Sequence, residues 1–240
     1  MTATLNYEQL MKKLLYVPII HMEADLGSMA AAIDKRSSQM CGKEHWNRHK
    51  KAVSGFWDSI TNYFDLLEAS NLKIYQDGLM VDGEVGKKII EEGARKGSKN
   101  HKIVLKLMKK GAKIVKTEDI SLLKEEYNSL IKLSQTKSPI EKMLVYIGYK
   151  LRKNPLMKKR DKFIAGRINE TLQNGEVGVL FIGAYHNVLP RISQDIIVHQ
   201  VKERSKVKAY FDELVWGKDE KRFGELAEYL ASPIEIVHSS

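Results

Sequence analysis

The chain reads as an α/β domain: a mainly parallel mixed sheet flanked by helices, with a helical cap region. Three observations predict this. Residues 14–20 (Leu-Leu-Tyr-Val-Pro-Ile-Ile) and 177–182 (Val-Gly-Val-Leu-Phe-Ile) are short apolar runs of the kind buried on both faces of a parallel sheet. Between them, apolar residues recur at the three-and-four spacing of amphipathic helices. The two patterns alternate along the chain, as strands joined by helical crossovers require. At 240 residues and 43% hydrophobic content, a single core suffices, since cores grow to roughly 250 residues. The expected organisation is therefore one domain over 1–240, with residues 84–155 as the cap.

The first strand is expected over 14–20, with Pro18 near its end because proline donates no ladder hydrogen bond. Helical character begins after Gly27-Ser28. From Trp46 the positions His49, Val53, Phe56, Trp57, Ile60, Phe64 and Leu67 keep helical spacing. Leu72–Tyr75 is β-prone and stops at the turn signal Gln76-Asp77-Gly78. Helices are expected over 84–96 and 100–110, then a strand over 111–116. Thr117 to Ile120 suits a helix N-terminus, so a helix is placed over 119–134. Pro139 opens the next, over 139–152, and a separate helix covers 157–173 and stops at Asn174-Gly175. After the strand at 177–182, residues 191–201 carry no clear signal, 207–211 suits a strand and 220–230 a helix.

No apolar run approaches the ~20 residues of a membrane span, so a transmembrane protein is excluded. The opening Met-Thr-Ala-Thr lacks a basic segment leading into an apolar one, and the cytoplasm is the expected compartment. The single cysteine, Cys41, rules out an internal disulfide framework and a Cys-rich zinc site. It lies between helical stretches and is taken as incidental.

The formal charge of +10 is concentrated: residues 87–113 hold ten Lys/Arg against Glu91 and Glu92. Lys150, Arg152, Lys153, Lys158, Lys159, Arg160 and Lys162 form a second cluster. Such patches can neutralise phosphates, but lysine dominates and no aromatic residues are interleaved as stacking platforms. A solvated helix face is the simpler reading and nucleic acid the less favoured partner.

Ligands of open parallel sheets bind beyond the carboxyl ends of the strands. Here those ends finish in His21 with Glu23 and Asp25, in Asp77, in Glu118 with Asp119, and in His186 with Asn187. If residues 21–25 continue extended, His21, Glu23 and Asp25 project to one side. Two imidazoles with nearby carboxylates suit a divalent metal such as manganese, zinc or cobalt, or act directly as acid and base. Each histidine alone reads first as a capped strand end, and only the pair of them brings the site reading level with it. Ser28 reads as a helix cap or an anion contact. Neither a Gly-x-Ser-x-Gly elbow nor a phosphate loop occurs.

The segments Lys159-Arg160-Asp161 to Leu172 and Gly183-Ala-Tyr-His186-Asn187 resemble the TraB/GumN/Tiki superfamily. Its members pair an Arg-Asp or Arg-Asn helix with a strand ending in Gly-x-x-His, and carry an earlier Gly-x-x-His after the first strand. Pro18-Ile-Ile-His21 occupies that earlier position here, with Pro18 in place of glycine. Asp77 stands where a glutamate is expected. The resemblance implies that His21 and His186 share one active-site rim. Tiki-type members resemble metal-dependent proteases, distantly similar erythromycin esterases hydrolyse a lactone, and another relative binds haem.

The expectation is a metal-dependent hydrolase of an amide or ester bond. His21 and His186 serve as ligands or bases, Glu23 as general base, and Asp25, Asp77 and Glu118 as further metal ligands. Arg160 orients a substrate carboxylate or braces one of the acids, and Asn187 joins it in substrate binding. A small-molecule or peptide substrate and a homodimer are the expected partners. The alternative is a binding protein for haem or nucleic acid.

Overall fold

The computed structural model describes residues 11–20, 34, 35, 38, 39, 42–69, 71–135, 139–217 and 219–235, without side chains at 129, 130, 132–135 and 139–153. Five strands, β1 (Lys12–Ile19), β2 (Leu72–Gln76), β3 (Lys113–Val115), β4 (Val177–Gly183) and β5 (Ile196–Gln200), form one sheet in the order β3-β2-β4-β1-β5. Every neighbouring pair is parallel, so the mainly parallel sheet expected is parallel throughout among the described residues. The helices are α1 (Lys43–Asp65), α2 (Gly83–Arg95), α3 (Lys99–Lys109), α4 (Ile120–Gln135), α5 (Pro139–Thr171), α6 (Arg204–Trp216) and α7 (Glu220–Ala231).

The apolar runs form the central strands because both of their faces are covered. In β4, Val179, Leu180, Phe181 and Ile182 are all fully buried. Alternate residues face opposite ways, and the core divides accordingly. Val17 and Phe181 pack with Phe56, Trp57, Ile60 and Phe64 of α1. Tyr16, Leu180 and Ile182 pack with Ile164, Ala165, Ile168 and Leu172, on or just after α5.

Crossover handedness accounts for the division. The chain steps one way across the sheet from β1 through β2 to β3, and the other way through β4 to β5. Right-handed connections then place the first set of helices on one face and the second on the other. Residues of α1 and α3 join the first core, whereas α5 and the segment around Val188 join the second. Of the segment 84–155 expected as a cap, α2, α3 and β3 belong to the body of the sheet.

Two expected elements differ. The helices predicted over 139–152 and 157–173 are one helix, α5, with Pro155 inside it. A proline costs the hydrogen bond to the carbonyl four residues earlier, yet the helix runs on, with its later half seated on the sheet through Ile164, Ala165 and Ile168. Residues 207–211, predicted as a strand, lie in α6, where Val207, Tyr210 and Leu214 are buried at helical spacing. Pro18 stands opposite Ile182 near the end of β1, as expected.

Helix α7 closes on α1 through small residues. A Cβ added at Gly55 would lie 2.7 Å from the Ala231 Cβ, so the two helices approach only because position 55 lacks a side chain. Gly55→Leu is therefore expected to push α7 off α1 and cost about 1–3 kcal/mol, the usual range for overpacking. A fall in the urea midpoint at constant m-value measures it, and an unchanged midpoint would contradict this packing.

Candidate active site at the carboxyl edge of the sheet

The carboxyl ends of β2, β3 and β4 and the middle of α5 converge on one buried charge cluster. β2 leaves the sheet through Gln76-Asp77-Gly78, a turn in which Leu79 N donates to Gln76 O at 3.0 Å. Gly78 has φ +82°, a left-handed conformation that glycine adopts without strain, and this turn fixes Asp77 at the rim. Past β3, Thr117 and Glu118 donate their backbone N–H groups to Leu79 O at 2.9 and 3.0 Å, which ties Glu118 beside the same turn. After β4, His186 N bonds back to Gly183 O at 3.0 Å.

Arg160 joins these ends. Its Nε donates to both Glu118 oxygens at 3.2 and 3.3 Å, and its Nη2 donates to Glu118 Oε1 as well. The same Nη2 reaches Asp77 Oδ1 at 2.8 Å, and Nη1 reaches Glu126 Oε2 at 2.6 Å. The next residue in α5, Asp161, turns the other way: its Oδ1 lies 2.6 Å from His186 Nδ1 and its Oδ2 accepts Asn187 N at 3.1 Å. Asp77 Oδ2 accepts Gly183 N at 3.1 Å and sits 3.6 Å from His186 Nε2. Both imidazole nitrogens therefore face carboxylates.

Glu118, Arg160, Asp161 and His186 are all buried, Glu118 completely, so charges interact here with little screening by water. Burial pushes the Glu118 carboxyl up to about 7; Asp77 pushes the same way, and Arg160 opposes them. Burial also favours neutral Asp77, but His186, Arg160 and Gly183 N outweigh it and hold the carboxyl below its ordinary value. Burial favours neutral His186, and the hydrogen bond to Asp161 together with the Asp77 charge raises it above the usual 6.5.

Tyr16 borders the cluster. It is fully buried, its hydroxyl is close enough to Arg204, Asp161 and Asp77 to feel their charges, and that hydroxyl has no hydrogen-bond partner among the described residues. Arg204 Nε is likewise buried and unpartnered. An unsatisfied buried hydroxyl ordinarily costs about 1–3 kcal/mol.

The structure thus brings together Asp77, Glu118, Arg160 and His186. Asp119 is elsewhere: its Oδ1 accepts Ser121 N and Leu122 N at 2.7 and 3.1 Å and caps α4. Asn187 enters through its backbone, while the residue itself is exposed. His21, Glu23, Asp25, Ser28 and Cys41 lie outside the described residues. Asp161 and Glu126 were not anticipated. The signal for Asp161 lies in α5: the apolar stripe of Ile164, Ala165 and Ile168, continued one turn toward the N-terminus, lands on Arg160 and Asp161. Glu126 carries no such signal.

The expected metal ligands are only partly described, since His21 and Asp25 lie outside the described residues. No group of three or more His, Cys, Asp or Glu among them has ligand geometry. Asp77 and Glu118 direct oxygens at Arg160, and His186 Nδ1 is engaged by Asp161.

The raised Glu118 value has a thermodynamic consequence. A carboxyl that binds its proton more tightly when folded (about 7) than at its ordinary 4.5 contributes stability that is complete below pH 4.5 and is lost as pH rises to about 7. His186, raised above 6.5, loses its contribution in the same direction at higher pH. Urea unfolding across this range should show wild-type stability falling relative to Glu118→Gln by on the order of 2–3 kcal/mol. Parallel curves for the two proteins would refute the buried-carboxyl assignment. No family model, curated protein or solved structure matches the chain.

Proposed function

We propose that the chain is a hydrolase of an amide or ester bond whose proton carrier is His186, oriented by Asp161. The observation that carries this is the buried Asp161–His186 pair, 2.6 Å apart, at the carboxyl edge of a parallel sheet where ligands of such folds bind. A carboxylate on Nδ1 fixes the ring and its tautomer, and leaves Nε2 as the working nitrogen. The resemblance of the Arg160-Asp161 helix and the Gly183 to His186 turn to the TraB/GumN/Tiki superfamily supports the same reading.

The steps follow from the side chains alone. Neutral His186 accepts a proton from water at Nε2 as the water oxygen bonds to the substrate carbonyl carbon. The imidazolium so formed is stabilised by Asp161 on one nitrogen and by Asp77, 3.6 Å away, on the other. It returns the proton to the leaving oxygen or nitrogen as the scissile bond breaks. The Tyr16 hydroxyl, unsatisfied in the folded chain, donates to the carbonyl oxygen as negative charge develops there. Arg160 is committed to three carboxylates; it holds Asp77 ionised and in place and acts as a positioning residue. β1 pairs Ile19 with Gly183, so β1 and β4 end side by side at this rim.

The haem and nucleic-acid readings come second. Axial ligation by His186 would use the same Nε2, and the Asp77 carboxylate 3.6 Å from it suits an imidazole that takes up a proton better than one bound to iron. In the basic window, Lys99 and Lys106 pair with Asp58 and Asp65 of α1 at 2.6 Å each, which takes up part of its charge.

Hydrolysis of a panel of p-nitrophenyl esters and amino-acid p-nitroanilides tests the proposal. His186→Gln should lower kcat/KM by about 10²–10⁴-fold, the usual worth of a general acid–base group. In the wild type, kcat/KM should rise with pH along a limb whose midpoint lies above the ordinary histidine value of 6.5. Asp161→Asn should move that limb to lower pH, because the carboxylate that raises His186 is gone, and should lower the plateau. Wild-type rates in folded His186→Gln protein, verified by circular dichroism, would overturn the proposal.

A further inference from the structure

On the side of α5 away from Asp161 lies a second feature that the acid–base site does not use. Lys116, just past β3, and Lys159, Lys162 and Arg167 of α5 surround a groove of about 790 Å³ floored by Leu122, Phe163 and Gly166. A Cβ added at Gly166 would meet nothing within 4 Å, so the floor is open.

The groove carries more positive charge than its own acids satisfy. Asp119 directs Oδ1 at the backbone N–H groups of Ser121 and Leu122, and Glu170 pairs with Arg167 at 3.3 Å. Lys116 Nζ lies 5.9 Å from the Phe163 ring centroid. Lys159 and Lys162 are exposed, and among the described residues neither has an ion-pair partner. Three lysines thus converge on an apolar floor containing a half-buried aromatic ring.

We propose that this groove binds a nucleoside polyphosphate. The phosphates satisfy Lys116, Lys159 and Lys162 through charge-assisted hydrogen bonds, and the base lies on Phe163, since aromatic side chains stack on any base. The volume matches that of sites for one small ligand, roughly 300–1,000 Å³; a nucleic-acid strand would draw as well on the basic residues upstream in α5, and the titration below separates the two. The proposal is independent of the hydrolase reading, because none of these residues belongs to the acid–base cluster.

Calorimetric titration of the full chain with ATP, tripolyphosphate, adenosine and a single-stranded oligonucleotide, without divalent metal, tests it. ATP should bind one to one and weaken as salt rises. Lys159→Glu and Lys162→Glu should each weaken it about tenfold, while Lys158→Glu, an exposed neighbour outside the groove, leaves it unchanged. Phe163→Leu should weaken ATP about fivefold or more and spare tripolyphosphate. Absence of ATP binding overturns the proposal, and so does ATP binding indifferent to Lys159 and Lys162. Tripolyphosphate binding as tightly as ATP removes the base from the site, and an oligonucleotide binding more tightly, with the same lysine dependence, makes the groove a nucleic-acid surface.

Discussion

The carboxyl edge of this fold depends on one buried guanidinium. Arg160 is 6% exposed, and a cation so placed is tolerable only where opposite charge and hydrogen bonds replace the water it has lost. Glu118, Asp77 and Glu126 supply them. Those partners come from the end of β2, the β3–α4 connection and α4, so a single side chain of α5 fixes three other segments at the rim. Removal of the arginine would strand completely buried Glu118 beside Asp77, and uncompensated buried charges of this kind typically cost about 3–5 kcal/mol. The order then passes outward: Asp77, held by Arg160, receives Gly183 N with its other oxygen and faces His186 Nε2.

The same cluster contains more acid than base. Asp77, Glu118, Glu126 and Asp161 surround Arg160 and His186, so even with His186 charged, four ionised carboxylates leave an excess of negative charge in a poorly screened interior. A proton retained on one carboxyl relieves it, and Glu118 is the group pushed up to about 7, because it is fully buried and pressed by Asp77. The surplus that raises Glu118 also raises His186 and therefore keeps an exchangeable proton at the rim near neutral pH. A site required to accept and release protons is well served by that balance.

Much of the fold was legible because its signals are local. The apolar runs at 14–20 and 177–182 could satisfy burial on two faces only as central strands, and they flank one another at the heart of the sheet. Strand order was not legible, since β1 and β4 pair across more than 150 positions of chain through contacts that no local pattern encodes. Residues 207–211 misled because Val207, Tyr210 and Phe211 suit a strand by type, and only the spacing of Val207, Tyr210 and Leu214 reveals the buried helical face. At the site, Asp77, Glu118 and His186 stood out as polar groups ending strands. Asp161 entered only as part of the Arg-Asp motif, because nothing local separates it from the other charged residues of a lysine-rich helix until the apolar stripe beside it is followed to its end.

The same helix carries the buried charge cluster on one flank and the basic groove on the other. Successive residues of an α-helix point about 100° from one another, so Arg160 and Asp161 can be buried against the sheet while Lys159 and Lys162 line the opposite flank. The separation holds only while α5 remains one continuous helix through this region. Asn154-Pro155 suggests a break, because proline disfavours helical backbone at the residue before it, yet the helix persists from Pro139 to Thr171. The proline lies more than a turn before Arg160, so the hydrogen bond it forfeits falls upstream of the charged pair. From Leu156 onward the helix buries Leu156, Arg160, Asp161, Ile164, Ala165 and Ile168, and this unbroken stripe sets the angle at which Arg160 meets its acids and Asp161 meets the imidazole. A true break at Pro155 would leave that stripe intact, whereas a break two turns later would rotate the lysines and the acid-binding pair out of register together.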